Sequence, residues 1–215
     1  MKRFALNITI MFYVFALSFD VKANELIVDY KSFYSHARKI NNDEMNALQF
    51  AFGFININSK KLCSIESARI STEKQQLPLE VSKENRFTIP VERALRLADA
   101  KVVLSLTEAV NICDMSVQLE TKPEFLKIKY SAQELETLFT QYEAFFDDMG
   151  GFLSFMMPSV KGLNIYFKDQ NLVKDLEHGL RVENGVLLVQ QSQFVSLASI
   201  ELPNKPVRIT AHTVK

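Results

Sequence analysis

The first half of the chain alternates apolar and polar residues with a period of two, which predicts half-buried β-strands. The clearest strand is CDMSVQLE, and two others lie in ALQFAFGFINI and KVVLSL. Their predicted inward faces are Cys113, Met115, Val117 and Leu119 in the first, Leu48, Phe50, Phe52 and Phe54 in the second, and Val102, Leu104 and Leu106 in the third. Gly53 predicts a bulge or close backbone contact, and Pro78 predicts an edge strand. Short strands separated by turns favour a sandwich- or barrel-like antiparallel arrangement for this half.

The second half begins with a predicted strand, LKIKY, and continues into an amphipathic helix near residues 131–148. Ser131 followed three residues later by Glu134 is typical of a capping box at a helix start. Further along, Asn184-Gly185 between apolar runs predicts a β-hairpin, and FVSLASIEL and PVRITAHT are predicted to be strands. The residues at helical spacing are Leu135, Leu138, Phe139, Tyr142, Phe145, Phe146 and Met149. The expected fold class is therefore α+β, with a β-rich N-terminal half, one amphipathic helix and a C-terminal β-hairpin region.

The chain opens with a basic pair, an apolar stretch and small residues, in the order of a secretory signal peptide. Lys2 and Arg3 precede Phe4–Phe19, and Val21-Lys22-Ala23 follows. The apolar stretch is shorter than the roughly 20 residues of a membrane-spanning helix. We expect cleavage after Ala23 and a periplasmic product, with an uncleaved membrane anchor as the alternative.

The amino-acid composition limits the classes of protein to which the cleaved product can belong. The full chain has 47% hydrophobic residues, so the product of that cleavage keeps enough apolar residues for a substantial core. Removing residues 1–23 takes away three basic residues and one acid, so the charge falls from 0 to −2. This charge gives no electrostatic reason to expect nucleic-acid binding, and no further segment is long and apolar enough to span a membrane. No linker composition marks a boundary, so residues 24–215 are expected to form one domain, with a possible sub-division near 125–130.

The two cysteines, Cys63 and Cys113, both lie in the exported part. An even pair in an oxidising compartment predicts a disulfide. A redox pair or metal ligands are the alternatives, but neither cysteine has a CxxC partner or a nearby histidine.

Recognisable catalytic motifs are absent from the sequence. His36, His178 and His212 are far apart and form no metal-binding spacing, so surface roles are favoured for them. The sequence also lacks a GxSxG elbow and a glycine-rich nucleotide loop. We therefore predict no cofactor and no metal, and whether the protein is an enzyme stays open, with a preference for a non-enzymatic role.

The unusual segment FFDDMGGFLSFMMPSVKG contains an acidic pair, Asp147 and Asp148. Acids in the last turn of a helix face the negative end of its dipole. We interpret Asp148 as the N-cap of a second short helix, Gly150 to Met156, with Lys161 as a possible charge partner. A catalytic role for the pair would need a second acid across a cleft.

An apolar run follows the acids and comprises Phe152, Leu153, Phe155, Met156 and Met157. A short helix that is apolar nearly all round is usually buried, which favours a core role. The alternative is an exposed interaction surface, because methionine-rich surfaces adapt to varied apolar partners. Few basic residues lie nearby, so a protein partner is favoured over a bilayer.

Four segments give the chain a resemblance to a known family: VDYKSFYSHARKI, RFTIPVERALRLADAKVVLSL, CDMSVQLETK and AFFDDMGGFLSFMMPSVKGL. Together they resemble a family of uncharacterised exported proteins of Gram-negative bacteria, catalogued only as a domain of unknown function. The resemblance covers most of Leu26–Phe167. It implies a periplasmic location and transfers no catalytic or binding residue.

Three functions remain open on the sequence. The leading hypothesis is a non-enzymatic binding module of the cell envelope that holds an envelope protein partner through or near Phe152–Met157. The second is a hydrolase-like enzyme that uses Asp147 or Asp148 with a distant histidine. The third is a soluble carrier of an apolar ligand.

Overall fold

The N-terminal half folds into antiparallel strands that form two separate sheets. The computed structural model describes residues 24–150 and 158–214. The first six strands are β1 (Asn24–Asp29), β2 (Leu48–Asn56), β3 (Ile65–Ser71), β4 (Gln76–Leu79), β5 (Lys101–Leu106) and β6 (Cys113–Thr121). One sheet has the order β1-β5-β3-β4, and β2 pairs with β6. Pro78 lies in the edge strand β4, and a Cβ on Gly53 would meet the Asn85 carbonyl oxygen at 2.9 Å, so both predictions are confirmed.

Two α-helices and several single turns connect these strands. Helix α1 (Tyr30–Ala37) follows β1, and α2 (Arg93–Leu97) precedes β5. Short 3₁₀ helices cover Arg38–Ile40, Asp43–Met45, Val110–Ile112 and Pro123–Phe125. Phe33 of α1 packs edge-on against Phe52 of β2, with ring centroids 5.0 Å apart. Aromatic packing thus fixes α1 against the β2–β6 pair.

A disulfide joins Cys63 to Cys113, as predicted, with their Cα atoms 6.3 Å apart. Cys113 begins β6, while Cys63 lies two residues before β3 and donates its backbone N–H to the Phe54 carbonyl of β2. Both cysteines are buried. The bond therefore connects the two sheets of the N-terminal half, and closing a loop of this size stabilises the fold by up to about 4 kcal/mol.

The second half contains the long helix, a five-stranded sheet and a two-stranded ribbon. Its elements are β7 (Lys129–Ser131), α3 (Ala132–Gly150), β8 (Ser159–Tyr166), β9 (Lys174–Asp175), β10 (Arg181–Glu183), β11 (Val186–Gln190), α4 (Gln191–Phe194), β12 (Ser199–Glu201) and β13 (Arg208–Val214), with a 3₁₀ turn at Glu177–Gly179. The sheet order is β13-β8-β11-β10-β9, and β12 pairs with β7. The α+β class is confirmed. Within the described residues no helix is both long and apolar enough to cross a bilayer.

The capping box and the hairpin form as predicted. The Ser131 N–H donates to a Glu134 carboxylate oxygen at 2.8 Å, and the Glu134 N–H donates to Ser131 Oγ at 3.2 Å. Between β10 and β11, Asn184 and Gly185 take φ values of 50° and 71°. Two consecutive positive φ angles define the tight turn that favours this dipeptide.

Helix α3 packs its apolar stripe against β-strands of both halves. Its buried residues are Leu135, Leu138, Phe139, Tyr142 and Phe145. The Tyr142 hydroxyl donates to the Ile209 carbonyl at 2.7 Å and accepts from the Thr121 hydroxyl at 3.1 Å. Burial raises the pKa of Tyr142. A single side chain of α3 therefore connects β6 to β13.

Strand β6 forms where predicted, but the expectation that its apolar face is buried is partly wrong. Met115 and Val117 are each 39% exposed. They lie opposite Phe54 and Phe52 of β2, which are buried. The difference comes from tertiary packing. Phe33 of α1 covers the residues of β2, whereas the same face of β6 remains partly exposed to solvent.

Two further local expectations are corrected. LKIKY is mostly irregular, with only β7 as a strand, and Ile128 is exposed while Leu126 and Tyr130 are buried. FVSLASIEL, expected to be one strand, contains the end of α4 and then the short strand β12. In both segments, hydrogen bonds to neighbouring parts of the chain prevail over the alternation of apolar and polar residues. For example, Leu202 donates its N–H to the Ile128 carbonyl at 2.8 Å.

Candidate functional site

The predicted interaction surface, Phe152, Leu153, Phe155, Met156 and Met157, lies outside the described residues. Its choice between a core and a surface role stays a prediction. The short helix that was expected over Gly150–Met156 lies there as well, except for Gly150, which belongs to α3.

Asp147 and Asp148 lie on the exposed end of α3. Because α3 continues to Gly150, Asp148 is inside this helix, and its interpretation as an N-cap is wrong. Contacts with distant residues support the last turns against the unfavourable dipole: Phe145 packs on Phe50 at 5.6 Å, and Lys39 Nζ lies 3.6 Å from Met149 Sδ.

The acid that accompanies Asp147 is Glu143 rather than Asp148. Glu143 and Asp147 are four residues apart on α3 and line a cavity of 170 Å³ together with Lys161. Burial raises the pKa of Glu143, and the charges of Asp147 and Glu136 raise it further, while Lys161 opposes them. Lys161, the expected charge partner of Asp148, lies beside Glu143 and Asp147 instead, and a catalytic use of Asp147 or Asp148 stays a prediction.

The histidines are separated in space as well as in sequence. His36 packs its ring against Phe50 at 6.1 Å, His178 lies in a tight turn with φ 60°, and His212 is in β13. Within the described part of the chain, the one cluster with metal-ligand geometry is Cys63, Glu108 and Cys113. Its cysteines are joined in the disulfide, so the cluster lacks the thiolates that a metal would need.

A surface depression on the outward side of α3, which we call the α3 groove, has a volume of 790 Å³. Its floor is the outward face of α3, where Ala132, Glu136, Thr140 and Ala144 follow one another at four-residue spacing. Residues four apart lie on one face of a helix, one above the other. Since most of these side chains are small, a partner can approach the helix backbone closely.

The two walls of the α3 groove come from distant parts of the chain. One wall is the end of α4, where Phe194 is buried and Val195 is 94% exposed. The other is the Asp43–Met45 turn, which contributes Glu44. The lining described here includes the carboxylates of Glu44 and Glu136 and no basic side chain.

Buried contacts hold both walls in place. Phe139 of α3 packs edge-on against Phe194 at 5.8 Å. On the other side, the buried Gln141 accepts from the Ala47 N–H at 2.8 Å and donates to Asn46 Oδ1 at 2.9 Å. The groove is therefore preformed, and binding in it requires little ordering of the protein.

A second cavity of 440 Å³ shares Thr137 and Gln141 with the groove. Several of its polar groups are paired: Lys127 Nζ donates to Glu134 at 2.6 Å, and the Tyr130 hydroxyl donates to the Phe125 carbonyl at 3.0 Å. The Lys127 contact and two hydrogen bonds from Ser131 lower the pKa of Glu134 to about 2, while burial raises the pKa of Tyr130 to about 12. Glu134 therefore stays ionised and Tyr130 stays neutral near neutral pH, and both contribute to the structure.

Sequence reasoning missed the α3 groove, although part of its signal was present. The helical spacing of apolar residues predicts the buried face of α3 only. Small residues at four-residue spacing, as at Thr140 and Ala144, permit close helix packing and could have marked the floor. The walls could not have been found, because Glu44 and Val195 are about 150 residues apart in sequence.

Comparison with known proteins gives a family but no activity. No curated protein and no solved structure matches the chain at a significant level. A family model described as a protein of unknown function, DUF2987, matches residues 22–167. The matched region ends after β8, so it includes the floor of the α3 groove and the Glu44 wall but not Val195. On this match, which spans most of its length, the chain belongs to the DUF2987 family of proteins of unknown function.

Proposed function

We propose that this protein is a non-enzymatic binding module of the bacterial cell envelope and that it holds a protein partner in the α3 groove. The observation that carries the proposal is the preformed groove of 790 Å³, with a floor of small side chains and acidic residues as its charges. Contiguous exposed apolar surface, to which Val195 contributes here, often marks a site of protein–protein interaction.

The partner's chemistry follows from the lining. Glu44 and Glu136 are exposed on the wall and the floor, and no basic side chain balances them within the described lining. We therefore expect a helical or extended segment that carries Lys or Arg beside small apolar residues. Its apolar side would contact Val195, and its charges would steer association and make it sensitive to salt.

The location rests on two features of the chain. Residues 1–23 have the order of a secretory signal peptide, with cleavage proposed after Ala23. The Cys63–Cys113 bond is of a kind that persists in oxidising compartments such as the periplasm. Together they favour a periplasmic product.

Site-specific photo-crosslinking in the cell that natively expresses the protein tests this function. A photoreactive residue replaces Thr140 or Val195 in the full chain, and a third version carries it at the exposed Lys74, in the loop between β3 and β4. We expect one partner of the same mass at both groove positions and none at Lys74. Mass spectrometry of the adduct should identify a Lys- or Arg-bearing segment of that partner.

Charge reversal supplies the second arm of the test. Glu44→Lys with Glu136→Lys should abolish the groove adduct, while the matched pair Glu66→Lys with Glu73→Lys should leave it unchanged. Both pairs alter exposed residues, so neither is expected to unfold the protein. An adduct that forms equally at Lys74, or one that survives reversal in the groove, would contradict the proposal.

A carrier of an apolar ligand is the second candidate function, and the volume of the groove favours it. Sites for drug-sized ligands typically measure about 300–1,000 Å³, and the α3 groove lies within that range. A carrier should retain lipid through purification, and a Val195→Glu variant should lose it. Mass spectrometry of organic extracts distinguishes this outcome from a protein adduct.

A further inference from the structure

A smaller cavity of 220 Å³ lies on the far side of the β2–β6 pair from α1 and α3. It is enclosed by β2, β6 and the segment 80–88, and we call it the Arg86–Glu120 cavity. Gln49, Glu80, Glu84, Arg86, Glu120 and Val207 are among its lining residues. The α3 groove shares none of them.

Arg86 is held at this cavity by the backbone around it. Phe87, the next residue, exchanges both backbone hydrogen bonds with Phe52 of β2 at 2.8 Å. The guanidinium donates only long hydrogen bonds, to the Ala51 carbonyl at 3.3 Å and to Ser116 Oγ at 3.4 Å. Its Nε is buried and has no acceptor in the part of the chain that the structure describes. Arg86 is thus a positioned cation with unused donors.

Glu120 is the matching anion. It accepts one hydrogen bond, from Gln49 Nε2 at 3.1 Å. Burial raises the pKa of Glu120, and the nearby Arg208 and Arg86 charges only partly offset that effect. Burial likewise lowers the pKa of Arg86, and the Arg208 charge lowers it further, while the charges of Glu120 and Glu84 oppose that effect.

Arg208 compensates the Glu120 charge only in part, because its direct contacts are with other residues. It forms an ion pair with Glu84 at 3.1 Å and stacks on the Tyr166 ring at 4.3 Å. The ion pairs within 4.0 Å found among the described residues include neither Arg86 nor Glu120. Burying a charge without a direct partner is costly, so each of these two groups gains from a ligand of opposite charge.

We infer that the Arg86–Glu120 cavity binds a free amino acid, with the ligand carboxylate on Arg86 and the ligand ammonium on Glu120. A zwitterion brings both missing charges in one molecule. Planar guanidinium groups suit carboxylates, since two N–H donors can meet two oxygens. A volume of 220 Å³ lies below the range for drug-sized ligands and fits a molecule of this class.

The test is titration of the full chain with each of the twenty standard L-amino acids, followed by amide chemical shifts. We expect at least one to shift the amides of Arg86 and Glu120 saturably. Acetate and methylammonium, which carry one charge each, should bind at least tenfold more weakly. If none of the twenty produces a saturable shift, or if acetate alone binds as tightly, the inference is overturned.

Two variants locate the site. Glu120→Gln keeps an acceptor for Gln49 and removes the charge, and it should weaken binding at least tenfold. Val207→Phe changes a half-exposed residue of the lining, narrows the cavity without altering charge, and should block entry. Unchanged affinity in a folded Val207→Phe protein would place the ligand elsewhere. Glu66→Gln, outside the cavity, should have no effect.

Discussion

The α3 groove and the Arg86–Glu120 cavity are built on opposite principles. Polar groups next to the groove are already satisfied, as Gln141 shows by bonding to both Ala47 and Asn46. The cavity instead holds a cation and an anion with no direct ionic partner among the described residues. A partner of the groove would therefore gain mainly from the surface area that it buries. A ligand of the cavity would gain mainly from ionic hydrogen bonds to Arg86 and Glu120.

This difference has consequences for recognition. Glu44 and Glu136 of the groove are exposed to solvent, so salt screens them and they steer a partner more than they hold it. Arg86 and Glu120 are half-buried, so water screens their charges less, each hydrogen bond is stronger and selectivity for shape and charge is greater. A broad surface and a small selective cavity can therefore serve one binding protein without competing.

The disulfide gives the largest expected effect, and it should separate the two regions. Cys113 begins β6, which lines the cavity, whereas α3 contains no cysteine. Replacing Cys63 and Cys113 with Ala should lower the free energy of unfolding by up to about 4 kcal/mol in urea titrations. Amide exchange should accelerate more in β6 than in α3. A reducing agent should reproduce the loss in the wild type and leave the variant unchanged; equal acceleration in both elements would show that the regions are not separable.

Tyr142→Phe should have the next largest effect, because this hydroxyl connects the groove helix to the cavity strand. The substitution leaves the Ile209 carbonyl and the Thr121 hydroxyl without their partner in a buried place. Such a loss costs about 1–3 kcal/mol. Thermal or urea unfolding measures it, and Tyr34→Phe, a hydroxyl loss on a ring that Arg96 covers from 5.6 Å, is the matched control. If Tyr142→Phe and Tyr34→Phe lowered the free energy of unfolding equally, the Tyr142 hydroxyl would not connect α3 to β6 in the way proposed.

Sequence reasoning succeeded where the cause of a structure is local. Helix α3 was placed within two residues because its period and its Ser131–Glu134 capping box lie within the segment itself. The Asn184-Gly185 turn was found for the same reason. The partly exposed face of β6 was missed, since Val117 would be buried only if a helix covered it.

The two candidate sites show the same limit more strongly. The Arg86–Glu120 cavity assembles Gln49, Arg86 and Glu120 from three separate segments. The spacing of these residues carries no motif, and polar alternation in β6 favoured an outward, solvated Glu120. Only the packing of segment 80–88 across β2 makes that face a cavity.

Glu120→Gln in the absence of ligand should have a smaller effect on stability, and this substitution should stabilise the protein rather than destabilise it. The pKa of Glu120 is raised in the folded protein, so the folded state favours the protonated form. That contribution is fully present below the unfolded pKa, which is near 4.5, and is lost as the pH rises through the folded pKa. Glu120→Gln should therefore be more stable than the wild type at pH 7, with a smaller difference at pH 4. Urea unfolding at both pH values measures the difference in the free energy of unfolding between the variant and the wild type. If this difference favoured the variant less at pH 7 than at pH 4, the pKa of Glu120 would not be raised in the folded protein.

The smallest effect comes from the corresponding glutamate beside the groove, and it has the opposite pH dependence. Lys127 and Ser131 lower the pKa of Glu134 to about 2, so its stabilising contribution is present above the unfolded pKa near 4.5 and disappears as the pH falls through about 2. The pair is largely exposed, which limits its value to a few tenths of a kcal/mol up to about 1 kcal/mol. Glu134→Gln should therefore be slightly less stable than the wild type at pH 7 and indistinguishable from it near pH 2. Lys127→Met should reproduce part of that loss at pH 7, because it removes the same ion pair and leaves the capping box intact. Relative to the wild type, Glu120→Gln should gain stability and Glu134→Gln should lose stability as the pH rises to 7. If both variants gained or both lost, the contrast between the paired polar groups beside the groove and the unpaired charges of the cavity would be contradicted.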